Sequence, residues 1–120
     1  MVKKIGIKLV LAGLLVVSAG QAQAGDPPAS FKKCSACHKI DADNTAWTMG
    51  PGLKGIGKRA SKAYLEKILK DPQGAFDAGG PEIEALKAGA KFKPKLLMPK
   101  AVQGLSADDI KSLVDYLMAL

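Results

Sequence analysis

Residues Cys34-Ser35-Ala36-Cys37-His38 constrain this chain more than any other stretch. C-x-x-C-H is the attachment signal for a c-type haem. Two thiols three residues apart can project from one helical face and reach the two vinyl groups of one porphyrin as thioethers. The residue that follows, His38, then falls under the iron as the proximal ligand, and haem iron commonly takes an imidazole. His38 is also the only histidine in the chain. Competing readings of a C-x-x-C pair fit less well. A thioredoxin-like redox pair belongs beside a βαβ pattern, and none is visible. A structural zinc needs four ligands, and no other Cys or His exists to complete the set.

The N-terminus reads as a signal peptide. Lys3 and Lys4 form a basic start, an apolar run from Leu9 to Val17 follows, and Ala22-Gln23-Ala24 is an A-x-A cleavage signal. Cleavage after Ala24 divides the chain into a leader, 1–24, and a mature domain, 25–120. The rival reading is an uncleaved membrane anchor. The apolar run is short for a span, and Lys8 sits at its start. No other segment is long and apolar enough to cross a bilayer, so the mature form is expected to carry no membrane anchor.

A single domain of this size has a marginal core if it relies on protein alone. Its aromatics are Phe31, Trp47, Tyr64, Phe76, Phe92 and Tyr116. A covalently held haem would supply the missing apolar centre, and without it the chain is expected to be loose or unfolded. The precursor carries a net charge of +7. Without the three leader lysines, 15 basic residues face 11 acidic ones, a net charge of +4. A modest positive charge suits solubility and docking to an acidic partner. No nucleic-acid motif is present.

Along the mature chain, Asp26-Pro27-Pro28 resembles a helix start with Asp as cap, and a short helix should run through Phe31 into the cysteines. Lys39 to Met49 reads as a loop rich in turn formers. Trp47 within it is suited to packing on a haem edge or bonding a propionate through its indole N–H, or else to covering ordinary core. The stretch from Gly50 to Arg59 is glycine-rich, which permits close approach of backbone to a flat ligand. It lacks the G-K-[ST] and the preceding strand of a phosphate loop. Ser61 caps a predicted helix to about Lys70, ended by Asp71-Pro72. Gln73 to Gly80, with Phe76, reads as a loop. Pro81 opens a short helix to about Ala88, and Lys91 to Lys100 reads as irregular and basic. Ser106 and Asp109 suggest a capping box ahead of a final helix with Ile110, Leu113, Val114 and Leu117 on one stripe. No strand pattern competes, so the class is all-α.

The iron needs a second axial partner beyond His38 or stays open. Met49, Met98 and Met118 are the mature candidates, and a Met/His pair favours a raised potential. Met118 reads as ordinary packing in the last helix. Met49 is close in sequence to His38, on the segment expected to turn on the proximal side. Met98 lies between Pro94 and Pro99, far enough along to return over the opposite haem face, and is the favoured ligand.

Taken in order, these features resemble the class I cytochromes c, especially small bacterial electron carriers. The matching residues are Cys34 to His38, Gly50-Pro51-x-Leu53, Gly55, Arg59, Met98-Pro99 and the Leu105-Ser106 to Leu117 helix, and they span the mature chain. The resemblance implies one covalent haem c attached outside the cytoplasm, with Cys34 and Cys37 as thioethers rather than a disulfide. It implies that the Pro51 carbonyl accepts the Nδ1–H of His38 and that Arg59 contacts a haem propionate. It also implies that the first and last helices cross. Two departures stand out. The helix before Cys34 is short, with Phe31 unusually close to the first cysteine, which leaves a Phe31–Tyr116 contact open. Gly57-Lys58 is an unusual pair before Arg59.

With His38 and Met98 both on the iron, no site remains for substrate. The expected role is a periplasmic one-electron carrier rather than an enzyme. Lys32, Lys33, Lys39, Lys54, Lys91, Lys93, Lys95 and Lys100 flank the segments expected around the haem and would steer docking to acidic redox partners. The alternative is a haem subunit of a larger periplasmic oxidoreductase acting on sulfur or nitrogen compounds, distinguished by a permanent, more apolar interface.

Overall fold

Two helices with clear caps supply most of the core. The computed structural model describes residues 25–120, so the expected leader, 1–24, lies outside the described residues. A 3₁₀ turn, Ala29–Phe31, runs into α1 (Lys32–Ser35). Then come α2 (Ile56–Arg59), α3 (Lys62–Lys70), α4 (Pro72–Ala78), α5 (Pro81–Lys87), α6 (Met98–Val102) and α7 (Ala107–Met118). No strand forms among the described residues beyond an isolated antiparallel bridge between Trp47 and Pro51. The class is all-α, as the sequence implied.

Helix α7 begins with a reciprocal cap. The Asp109 N–H donates to Ser106 Oγ at 3.0 Å, and the Ser106 N–H donates to Asp109 Oδ2 at 3.0 Å, which satisfies two otherwise orphaned donors. Leu113, Val114, Tyr116 and Leu117 are its buried face, with Ile110 only partly covered. Helix α3 starts where Ser61 Oγ accepts from the Tyr64 N–H at 3.1 Å and buries Leu65, Ile68 and Leu69. Helices α3 and α7 pack directly on each other. Leu65, Ile83, Leu113 and Val114 are the most completely buried large side chains, and each contributes roughly 1.5–3 kcal/mol by leaving water.

Three expectations change. Asp26 does not cap the first turn; Pro28 stands at that position with no side-chain cap. The segment expected as a loop from Gln73 to Gly80 holds α4. Asp71 ends α3 and starts α4 together, because its carboxylate accepts from the Gly74 N–H at 2.9 Å and Pro72 is preset for a first helical turn. The break read at Asp71-Pro72 is therefore a corner between two helices, which pack against each other. Finally, the stretch to Lys100 is not irregular throughout: Met98 opens α6, with Pro99 in its first turn.

Gly57 explains how α2 meets α7. A methyl group at Gly57 would collide with the Met118 carbonyl, so the missing side chain lets α2 lie against the last turn of α7. The 3₁₀ turn also touches α7, and α6 touches both α1 and α4. The segments bearing Cys34 and Met98 are thereby brought together. No helix among the described residues is long and apolar enough to cross a membrane.

Candidate haem site

The helical winding of α1 continues past its last residue. The Cys37 and His38 N–H groups both donate to the Cys34 carbonyl, at 3.0 and 2.9 Å, so both cysteines and the histidine lie on one tight turn. Cys34 and Cys37 are free thiols, each half-buried. Burial, and then the neighbouring Cys37, push the Cys34 thiol above its ordinary pKa, against an opposing pull from Lys33. Among the described residues, no cluster of three or more His, Cys, Asp or Glu forms a metal site.

The chain after His38 folds back onto this turn. The Gly50 N–H and the Thr48 hydroxyl both donate to the Cys37 carbonyl, at 2.9 and 2.8 Å. The Leu53 N–H donates to the Lys39 carbonyl at 2.8 Å and the Lys54 N–H to the Ala42 carbonyl at 3.0 Å. Asp43 stabilises the bend between them, accepting from the Thr45 and Ala46 N–H groups and the Thr45 hydroxyl. These bonds, led by the Thr45 hydroxyl, hold its carboxyl below the usual carboxylate range.

The result is a fixed imidazole. His38 Nδ1 lies 2.7 Å from the Pro51 carbonyl. A carbonyl only accepts, so the proton is on Nδ1, and Nε2 carries the lone pair a metal needs. Burial lowers the imidazole pKa despite the opposing effect of this hydrogen bond, which favours the neutral, ligating form. Gly50 lies against the ring: a methyl group there would stand 2.6 Å from Cε1 and 2.9 Å from Nδ1. At Gly52 a methyl group would collide with the Ala42 and Asp43 carbonyls. The glycines expected to approach a flat ligand thus approach an imidazole ring and protein backbone.

The three methionines differ sharply. Met98 is half-buried and packs on the core from α6, which contacts the helix that bears Cys34, whereas Met49 is 63% exposed and Met118 37%. Arg59 donates from Nη2 to the Gly52 carbonyl at 2.9 Å, and its other donors make no hydrogen bond among the described residues. The Trp47 indole N–H donates to the Asn44 carbonyl at 2.9 Å, so the structure uses that donor within its own loop. Thr48 is a contributor the sequence reading missed; a threonine in a polar loop carries no signal that its hydroxyl reaches back eleven residues.

These residues fit a covalently held haem: paired thiols on one turn, an imidazole with Nε2 left free, and a half-buried thioether on a helix that contacts α1. Comparison with known proteins agrees. The chain is 29% identical over 99 residues to cytochrome c2 iso-2 of Magnetospirillum molischianum, a match covering 79% of this chain and 98% of the relative. No solved structure matches significantly. The family model described as Cytochrome c matches residues 22–120, and the chain therefore belongs to the cytochrome c family, with covalently bound haem c as its cofactor.

Proposed function

We propose that this electron-carrying cytochrome works in the periplasm, with Cys34 and Cys37 as the thioether links and His38 and Met98 as the axial iron ligands. The observation that carries the reading is the 2.7 Å Nδ1–H bond from His38 to the Pro51 carbonyl. It fixes ring orientation and makes Nε2 the more basic donor. When bound, the haem supplies an iron that takes up and releases one electron. The protein supplies the rest. Cys34 on α1 and Cys37 on the turn that follows it would hold the ring. Met98 brings a neutral, soft sulfur that favours the ferrous state. With both axial positions occupied, electron transfer is favoured over bond chemistry. The basic leader with its Ala22-Gln23-Ala24 signal supports export.

Lys32, Lys33, Lys39, Lys54, Lys91, Lys93, Lys95 and Lys100 are all exposed. None of them forms an ion pair among the described residues; the pairs that do form are Lys87–Glu84 and Lys111–Asp115. These cations are free to steer an acidic redox partner, an effect screened beyond about 10 Å at 0.1 M salt. Optical spectra of the purified holoprotein, oxidised and reduced, test haem type and methionine ligation together. A spectrum without the sulfur-to-iron band would remove Met98 from the iron. Electron-transfer rates with the natural partner test the lysines. Rates independent of salt would remove the steering role, and a stoichiometric partner in native purification would favour a subunit of a larger oxidoreductase.

A further inference from the structure

Helix α4 and the segment that leads into Met98 meet through two rings. Phe76 of α4 and Phe92 stack with centroids 5.9 Å apart and planes 9° apart. Phe76 stands on a firm support: it is partly buried against the core, and α4 packs on both α3 and α6. Phe92 closes a turn, its N–H donating to the Gly89 carbonyl at 3.0 Å. From there to Met98 little else holds the chain. No N–H from Lys93 to Leu97 donates to a backbone carbonyl among the described residues. Lys93, Pro94, Lys95 and Leu97 are exposed, and Leu96 alone is partly buried. Met98 then opens α6. The stretch is gripped at its two ends, by the ring stack at Phe92 and by α6, and α4 touches both.

We infer that Phe92 and Phe76 are positioning residues for the methionine ligand: their stack fastens the otherwise weakly held chain before Met98 to α4. This inference rests on Met98 being an iron ligand. The physical content is a population. An added ligand can bind only those molecules in which Met98 has withdrawn, so its apparent affinity is its intrinsic affinity multiplied by that fraction. A stack that is lost when Met98 withdraws keeps the fraction small. An aromatic pair of this kind is strong enough to change it about three- to tenfold, and removing a whole ring takes its apolar contacts as well.

The test is imidazole binding to the ferric holoprotein, compared across wild type, Phe92→Ala, Phe92→Tyr, Phe76→Leu, Met98→Ala and the Phe92→Ala/Met98→Ala double variant. Phe92→Ala is expected to tighten imidazole binding about tenfold or more. Phe76→Leu, which keeps an apolar side chain but loses the stack, should tighten it about three- to tenfold. Phe92→Tyr keeps the ring and should stay within about twofold of wild type. In the Met98→Ala background, adding Phe92→Ala should change nothing, since no methionine remains to be held. Wild-type affinity in either Phe92→Ala or Phe76→Leu, or an equal effect of Phe92→Ala with and without Met98, overturns the inference. If Met98→Ala itself leaves imidazole binding unchanged, the ligand assignment fails and the inference fails with it.

Should the variants not accumulate, the wild-type holoprotein decides. Coupling is reciprocal: if the stack opposes the withdrawal of Met98, withdrawal must weaken the stack. Nuclear Overhauser contacts between the Phe76 and Phe92 rings should be present in the free ferric protein and diminish in its imidazole complex. Ring contacts of equal strength in both states would overturn the inference.

Discussion

Phe31 and Tyr116 meet edge to face, with ring centroids 5.1 Å apart and planes inclined by 64°. Both side chains are buried, and they bring the first turn of the described residues onto the last helix. The short lead-in to Cys34 left this contact open in the sequence. It forms because the lead-in is a 3₁₀ turn, Ala29–Phe31, tighter than an α-turn, which presents Phe31 inward only three residues before the first cysteine. The crossing therefore braces the turn that carries Cys34, Cys37 and His38.

Phe31→Ala should cost roughly 3–5 kcal/mol, the usual range for deleting a buried Phe ring. Thermal unfolding of the holoprotein followed by circular dichroism checks this. A double-mutant cycle with Tyr116→Ala should recover a coupling of about 0.5–1.5 kcal/mol for the edge-to-face pair. Additive losses would mean that the rings are merely buried near one another.

Gly50→Ala should disturb His38 where Gly55→Ala does not. A methyl at Gly50 would stand 2.6 Å from His38 Cε1, whereas nothing lies within 4 Å of one at Gly55. Gly55 has φ of 71°, so alanine there costs roughly 1–2 kcal/mol of backbone strain and leaves the imidazole alone. Nuclear magnetic resonance of the His38 ring separates the two: shifted ring signals are expected for Gly50→Ala, and unchanged ones at lower stability for Gly55→Ala.

The parts of the fold legible in the sequence were those fixed by short-range chemistry. Ser61 and Ser106 announce their helices because a side-chain oxygen bonds an N–H three residues on, and that spacing is visible in the residue order. The cysteine turn and His38 were legible for the same reason. Helix α4 was not, because Gly74 and Asp71-Pro72 look like breakers until Asp71 is seen to cap the helix it precedes. Gly57 looked anomalous before Arg59. Its reason is the Met118 carbonyl, sixty-one residues away in sequence and invisible to any local pattern. Likewise, nothing local shows that the Trp47 indole N–H is spent on Asn44.

Raising the pH should weaken the fold through Tyr64. Its half-buried phenol is pushed up to about 12, first by burial and then by Glu82, with Arg59 opposing. The folded pKa exceeds the unfolded value of about 10, so the fold favours the protonated phenol. This contribution is fully present below pH 10 and is lost as pH rises from about 10 through about 12. Denaturant unfolding across that window should show a decline that is smaller in Tyr64→Phe. Phenolate difference absorbance between wild type and Tyr64→Phe should report a transition near the upper end. An identical decline in the variant would assign it to other groups, the lysines foremost.

Met98→Ala and Met49→Ala should behave as opposites. Both side chains carry the same soft sulfur, so softness cannot choose between them; placement does. Met49 is 63% exposed and follows Thr48, whose hydroxyl is bonded to the Cys37 carbonyl. It precedes Gly50, which is packed against the His38 ring, so its segment is already engaged on the His38 side. Met98 is half-buried against the core and opens α6, which contacts α1, the helix that bears Cys34. It approaches the cysteine turn from a segment far along the chain. Met98→Ala is therefore expected to keep the haem attached through Cys34 and Cys37 while losing the sulfur–iron bond. The reduction potential should fall, because a ligand that favours ferrous iron is gone. Carbon monoxide should bind the reduced protein, and the weak near-infrared sulfur-to-iron band should vanish from the oxidised one. Met49→Ala should leave all three unchanged. The reverse pattern would put Met49 on the iron and require the segment from Lys93 to Leu97 to be redrawn.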